Sequence, residues 1–336
     1  QGGSVVKPLT GVRGDGPSDA AVVRPVLDRK RCVAVAHGIC PRYSDIDTYH
    51  MAAAAADEAM RGVVAVGADP DRVAALDNFC WCDPVESESN PDGRHKLAQL
   101  VRANIALRDV CVAYGMPLVS GKDSMKNDYA IGKTRISIPP TLLVTAVGQL
   151  VDADLAVTMD VKRAGDVVFV IGTTRVELGA TQYFDQLGLK GGAVPRLGDP
   201  AARIRTYRWL HRAMTAGLVA SCHDVSDGGL GVALAETAFA GGLGLDVDLR
   251  EAPCEGVDRD DFLLYSETPG RFVVTVATAS ARAFETLMDG AARRVGSVTA
   301  DERLVITGMK GDVIVDAAIA DLKEAWRKPL RFGEAS

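Results

Sequence analysis

Leu218-Val219-Ala220-Ser221-Cys222-His223-Asp224-Val225-Ser226-Asp227-Gly228-Gly229-Leu230 reads as a strand, a short acidic loop and the first turn of a helix that continues through Ala240. A strand feeding a helix through a tight loop is the building unit of layered α/β domains. Two carboxylates, Asp224 and Asp227, stand on the loop, and a glycine pair opens the helix. A helix N-terminus offers free N–H groups and partial positive charge. Carboxylates beside it can hold Mg²⁺ against a polyphosphate. Equally, Asp227 can be a plain helix cap.

Downstream, Arg271 to Val276 reads as a strand and Ala283 to Arg294 as a helix. Upstream, a helix spans Ala201 to Ala216, a Gly-bearing segment covers Glu177 to Thr181, and Val167 to Ile171 has the unbroken apolar character of a buried strand. Before that strand lies a polar stretch with Asp152, Asp154, Asp160 and Lys162-Arg163-Ala164-Gly165-Asp166, where a domain boundary is expected. The first domain reads as a strand at Cys32 to Ala36, a turn from His37 to Tyr43, and an alanine-rich helix from Tyr49 to Val66 that suits close packing on a sheet. A short strand at Arg72 to Asp77 follows, then a loop from Asp83 to Gly93. A helix carrying Leu97, Leu100, Val101, Asn104, Leu107, Arg108 and Cys111 stops at Gly115. A brief strand at Pro117 to Ser120 and a longer one at Thr141 to Leu150 complete it. The expected organisation is α/β to α+β: residues 1–24 as a linker, a domain at 25–155 and a second at 156–330.

Length and composition agree. A chain of 336 residues suggests two domains. Hydrophobic residues make up 47% and aromatics only 5%, so the core must rely on close helix-to-sheet approach. The formal charge of −6 does not give the basic footprint of a nucleic-acid binder. The apolar run Leu142 to Val151 is interrupted by Gly148 and Gln149 and is too short to cross a bilayer, so no membrane role is expected. Seven scattered cysteines form neither a disulfide framework nor a zinc ribbon, which fits reduced thiols and a cytoplasmic protein. No signal peptide is evident, and the opening Gln1-Gly2-Gly3-Ser4 reads as linker from a longer chain.

Three further segments carry candidate chemistry. Leu118-Val119-Ser120-Gly121-Lys122-Asp123-Ser124 combines a glycine that admits close approach, a cation and a hydroxyl, although no P-loop pattern is present; a polar turn explains it as well. Asp77-Asn78, with Phe79-Cys80-Trp81-Cys82 following, fits a nucleotide site or a capped turn beside an aromatic cluster. Glu267 and Arg271 in Ser266-Glu267-Thr268-Pro269-Gly270-Arg271 fit a simple ion pair. His37, His50, His95, His211 and His223 show no metal-ligand spacing.

These segments together resemble the formylglycinamidine ribonucleotide (FGAM) synthetase family. The resemblance is carried by Gly16-Pro17-Ser18-Asp19-Ala20-Ala21, Leu76-Asp77-Asn78-Phe79-Cys80-Trp81, Asn90-Pro91-Asp92-Gly93, Val119 to Asp128, Ile138-Pro139-Pro140-Thr141, Cys222 to Leu230 and Ser266-Glu267, in family order along nearly the whole chain. It implies an aminoimidazole ribonucleotide (AIR) synthetase-like N-terminal α/β domain followed by an AIR synthetase-like C-terminal α/β domain, forming the second half of a synthetase. The implied reaction turns formylglycinamide ribonucleotide, ATP and ammonia or glutamine into FGAM, ADP and phosphate in purine biosynthesis. The implied cofactors are ATP and Mg²⁺. The implied partners are the first half, a glutaminase subunit or domain as ammonia source, and a second copy when the chain is isolated.

By position, the resemblance assigns Asp77 and Gly121 to ATP and Ser124 to substrate, and matches a helix glutamate of the family to Glu58. Read with the local chemistry above, Asn78, Lys122, Asp123, Asp224, Asp227 and Gly228 join the cofactor candidates, Glu267 the substrate candidates, and Glu58 and Asp227 are the metal candidates. Lys122 stands where many members carry an Mg²⁺-binding Asn; a Lys cannot ligate the ion but can neutralise phosphate. Ala36-His37 replaces Thr-Asp, and Gly62 replaces an Asn four residues after Glu58. The catalytic His segment of the first half is missing, so no residue here is expected to be catalytic. An intact AIR synthetase-like enzyme and a silent half with a structural nucleotide site are the rival readings.

Overall fold

The structure, a computed structural model, describes residues 2–132 and 134–330. The first domain is built on strands β1 (Ser4–Val6), β2 (Ala21–Val23), β3 (Cys32–Ile39), β4 (Val73–Cys80), β5 (Leu118–Ser124) and β8 (Thr141–Leu150), in the spatial order β1-β2-β3-β8-β4-β5. A hairpin of β6 (Asp128–Ile131) and β7 (Thr134–Ser137) stands apart. Helices α1 (Thr48–Ala65) and α2 (Gly93–Tyr114) pack on each other, and α1 lies on β3 and β8. The alanine content of α1 has the expected consequence: Met51 to Ala56 are buried. The sheet meets this helix through Gly38, where an added Cβ would lie 2.1 Å from the Ala55 carbonyl oxygen. Asp47 caps α1, accepting the Tyr49 N–H at 2.8 Å.

The second domain has strands β9 (Val167–Ile171), β11 (Val219–Asp224), β12 (Gly244–Asp248), β14 (Phe272–Val276), β15 (Ala292–Thr299), β16 (Arg303–Thr307) and β17 (Val313–Ala318). Their order is β11-β14-β9-β15-β12-β16-β17. A small pair, β10 (Thr174–Arg175) with β13 (Cys254–Glu255), lies beside them. Helices α3 (Gln182–Gln186), α4 (Pro200–Thr215), α5 (Gly229–Gly241), α6 (Asp260–Tyr265), α7 (Ala281–Leu287) and α8 (Ile319–Arg327) complete it. Strand β9 shows why its sequence is apolar throughout. Val167, Phe169 and Ile171 enter the core that runs on into the first domain, while Val168 and Val170 enter a second core under α5 and α8. A strand buried on both faces cannot alternate with polar residues. The layering is α/β in both domains, as read from the sequence. No described helix is long and apolar enough to cross a membrane.

Four expectations need correction. Residues 1–24, expected as linker, supply β1 and β2 to the first sheet, because Val6 and Val22 are buried there. His37 to Ile39 extend β3, the turn being confined to a 3₁₀ segment at Pro41–Asp45. Gly121 to Ser124 are strand, the continuation of β5, since parallel pairing with β4 supplies backbone partners that local turn chemistry does not reveal. The helix read from Ala283 to Arg294 ends at Leu287; Ala292 onward is β15, pulled into the sheet by β9 and β12.

Candidate functional site

Strands β3, β4 and β5 run parallel, with β8 antiparallel between the first two, so their carboxyl ends share one edge of the sheet. Ile39 and Asn78 both pair with Leu143, and Asn78 pairs with Lys122. At about 4.8 Å per strand, the backbones of Ile39 and Lys122 are roughly 14 Å apart in one row. One group of sequence-predicted residues lies in this row, and a second is joined to its β3 end through the Glu58–Ile39 hydrogen bond.

The first lies at β4 and β5. Asp77 pairs with Gly121, Phe79 with Asp123, and Cys80 with Ser124. The Asp77 carboxylate rests against the Gly121 backbone so closely that an added Cβ would meet Oδ1 at 2.7 Å. Glycine is therefore required for Asp77 to hold this position. Burial, with the neighbouring Asp123 charge, raises the Asp77 pKa above the ordinary carboxylate value. The Lys122 ammonium donates to the Ser124 hydroxyl and not to Asp123. Leu118 through Asp123 are exposed along the open edge of β5.

The second group gathers where α1 meets the loop after β11. A void of about 10 Å³ is bounded by Cys40, Tyr43, Glu58, Arg61, Asp227 and Glu267, room for one water-sized particle. Glu58 accepts the Ile39 N–H at 2.9 Å. Burial pushes its carboxyl up to about 7, and the Asp227 charge adds to the shift. Asp227, on the solvent side, is raised mainly by desolvation and accepts from the Gln182 amide at 3.3 Å. Glu267 is buried with both oxygens engaged: Oε1 accepts from the Gly228 and Gln182 N–H groups, each at 2.9 Å, and Oε2 accepts the Tyr43 hydroxyl at 2.7 Å. One N–H at the mouth of α5 is thus already filled by an internal carboxylate. Glu267 does not pair with Arg271, which donates to the Thr268 and Ser266 carbonyls and the Thr174 hydroxyl.

Behind the void is a polar core that the sequence reading missed. Asp57, fully buried, accepts from the Tyr114 and Tyr207 hydroxyls at 2.5 Å each and from Arg61 at 2.5 Å. Arg61 reaches on to Asp224 at 3.1 Å, so this one network joins α1, α2, α4 and β11 across both domains. Beside it His223 stands between two carboxylates, Asp19 on Nδ1 at 2.7 Å and Glu236 on Nε2 at 3.0 Å. Burial alone would lower its pKa; the flanking carboxylates prevail and hold it well above the usual 6.5. The donor atoms of Asp19, His223 and Asp224 lie within 4.8 Å of one another, a grouping in reach of a cation. Asp19 and His223 lay within motifs already noted, but their 204-residue separation hid the contact. Asp57 and Tyr207 carried no motif at all. In this order the structure brings Glu58, Asp224, Asp227, Gly228 and Glu267 together, and Asp77, Asn78, Gly121, Lys122, Asp123 and Ser124 at the neighbouring strand ends.

Known proteins share this architecture. The AIR synthase related protein family matches in two pieces, its N-terminal domain over residues 17–150 and its C-terminal domain over residues 163–308. The phosphoribosylformylglycinamidine synthase subunit PurL of Deinococcus radiodurans is 33% identical over 323 residues, covering 94% of this chain and 41% of the relative. The chain thus spans about two fifths of the length of such relatives. Among solved structures, PurL of T. maritima complexed with FGAR superposes with a TM-score of 0.73 at 21% identity, over 95% of this chain and 50% of that one. The structure of PurLQS from Thermotoga maritima gives 0.69 at 21% identity, over 95% and 48%. At such identities the likeness establishes the fold.

Proposed function

Because the chain belongs to the AIR synthase related family in both of its domains, we propose that it is the second half of an FGAM synthetase, a C–N bond-forming ligase of purine biosynthesis. In this reading the reunited enzyme converts formylglycinamide ribonucleotide, ATP and ammonia to FGAM, ADP and phosphate. The division between domains at residues 155–156, with β1 and β2 counted in the first domain, the cytoplasmic location, a first-half partner and a glutaminase ammonia source are parts of the same proposal. The observation that carries it is the gathering of the motif residues at the β4–β5 strand ends and around the void between α1 and the loop after β11, set in a chain 33% identical to a PurL subunit over nearly its whole length.

The roles follow from chemistry at each position. Asp77, Asn78, Gly121, Lys122 and Asp123 would face nucleotide at the open edge of β5, with Lys122 as the phosphate-neutralising charge and Ser124 as the substrate contact. Asp224, Asp227 and Gly228 would bound the nucleotide from the second domain. Glu58 and Asp227 fit a hard cation: both carboxylates are shifted upward by burial, the Asp227 charge adds to the shift of Glu58, and positive charge between them would relieve it. Bound there, Mg²⁺ would supply neutralisation of phosphate charge. Arg61 holds Asp224 and is held by Asp57, fixing the loop that carries Asp227. Glu267 orients the entry to α5 through Gly228 and already accepts three hydrogen bonds, which leaves one acceptor site for substrate. That filled contact and the small void favour, as second reading, a nucleotide site in this half that is structural. In neither reading does the chain turn over alone.

Nucleotide titration of the two halves joined, with and without Gly121→Ala, tests the assignment. The added methyl must displace Asp77, so nucleotide affinity is expected to fall at least tenfold with the fold intact by circular dichroism. Unchanged affinity removes the β4–β5 edge from the site.

A further inference from the structure

Strands β1 and β2 pair antiparallel, and a connection of about two to five residues would join them. The chain instead runs from residue 7 to residue 20 between them, out over the second domain and back. Thr10 and Gly16 close the tip of this segment by exchanging N–H···O bonds at 2.9 and 3.0 Å. The tip is fitted to the end of α5. The Val12 N–H donates to the Ala240 carbonyl at 3.0 Å. A Cβ added at Gly11 would lie 2.3 Å from that carbonyl oxygen, and one at Gly16 would lie 2.5 Å from the Ala240 Cβ, so both positions need glycine. Asp15 pairs with Lys323 of α8 at 2.5 Å.

The stem of the segment reaches the candidate site. The Asp19 side chain is 1% exposed, and its Oδ1 accepts from the Asp224 N–H at 3.0 Å and from His223 Nδ1 at 2.7 Å. Asp224 is thereby held twice, by Asp19 on its backbone and by Arg61 on its carboxylate. Asp227 stands three residues further on. The other side of Asp19 lies on α1. A Cβ added at Gly62, one turn after Glu58, would come within 2.9 Å of the Asp19 carbonyl oxygen. One residue thus touches both the helix that carries Glu58 and the start of the loop that carries Asp227.

We propose that residues 7–20 are a strap that sets the spacing of Glu58 and Asp227, with Asp19 as the positioning residue. The two carboxylates belong to different domains, so their spacing depends on how the domains dock. The strap grips the second domain at Ala240, Lys323, His223 and Asp224, while its ends are strands of the first domain's sheet. A hydrogen bond from a backbone N–H to a buried carboxylate is among the stronger ones, and here it fixes the residue from which the acidic loop departs. The strap rests on these contacts alone; its effect on a cation rests on the reading of Glu58 and Asp227 given above.

Hydrogen–deuterium exchange of the full chain, read by mass spectrometry, tests the strap. The amides of Val225, Gly228 and Gly229 are hydrogen-bonded and report on the loop. Asp19→Ala should speed their exchange about tenfold or more and leave β15, in the same sheet, unchanged. Asp19→Asn keeps the shape and an acceptor oxygen and should restore most of the protection. Lys323→Met, at the tip, should loosen the same loop more weakly, and Asp15→Lys combined with Lys323→Asp should restore it. Mn²⁺ titration of the same variants, followed by electron paramagnetic resonance, reads the spacing: Asp19→Ala should bind Mn²⁺ about tenfold more weakly than the unsubstituted chain. If the unsubstituted chain binds no Mn²⁺, the cation reading fails and the exchange pattern still decides the strap. Unchanged loop protection in both Asp19→Ala and Lys323→Met overturns the proposal. So does loosening spread evenly through the second domain, or loosening by Asp19→Asn equal to that by Asp19→Ala.

Discussion

Asp57 is the buried charge that ties α1 to α2 and α4 through Tyr114 and Tyr207 and holds Arg61. Removing one member of a buried ion pair strands the other charge and costs about 3–5 kcal/mol. Asp57→Ala should therefore lower unfolding free energy by that order in urea titrations. Tyr207→Phe, which leaves Asp57 bound to Tyr114 and Arg61, should cost only about 1–2 kcal/mol. Equal losses for the two would mean that Arg61 is satisfied without Asp57. His223 makes a prediction in pH. Its pKa is raised in the folded state, so its stabilising contribution is complete below the unfolded value of about 6.5 and disappears as pH rises through the folded value. The stability gap between the wild-type chain and His223→Gln should narrow as pH is raised above neutrality; a gap that widens would reverse the sign. Lys122 is the test of the proposed nucleotide edge. In the joined enzyme Lys122→Met should weaken ATP by about 10- to 150-fold, the equivalent of ~1.5–3 kcal/mol for a charge-assisted contact. A change below about threefold would leave the ammonium with Ser124 as a surface group.

At the scale of elements, β5 and α2 present an open flank. Leu118 and Val119 are exposed on the edge strand, and Leu97, Val101, Ile105 and Val112 form an outer apolar stripe on α2. Helical spacing along α2 was legible in the sequence, but the spacing did not tell which apolar residues face inward. Leu107 and Cys111 enter the core, whereas Leu97 and Val101 do not. Apolar surface beside an unpaired strand edge marks an association surface, so the isolated chain should self-associate in two-fold fashion. Sedimentation should show a dimer at micromolar concentration, weakened by Val119→Lys; monomer alone would contradict it. Elements with a strong local signature, such as α1 and β8, were read within about a residue. Those defined by long-range pairing were not: β1 and β2 gain strand character only through β3, and β15 begins inside a stretch whose composition suits a helix.

Taken as a whole molecule, the chain is two α/β domains whose interface is polar at its centre. The motifs disclosed which residues gather at the strand ends and at the mouth of α5, because those residues are grouped in sequence around glycines and strand ends. They did not disclose Asp57, Tyr114, Tyr207 or Glu236, which meet their partners only through packing of separate elements. The arrangement leaves the β5 edge open, with Leu118 through Asp123 exposed along it. That open edge supports the proposal that the chain completes a pocket together with a first half. The direct measurement is FGAM formation from formylglycinamide ribonucleotide, ATP, Mg²⁺ and ammonium chloride, by the isolated chain and by the chain joined to a first half. The account predicts no product from the chain alone and restored synthesis on joining; turnover by the isolated chain at the rate of the joined enzyme would contradict it.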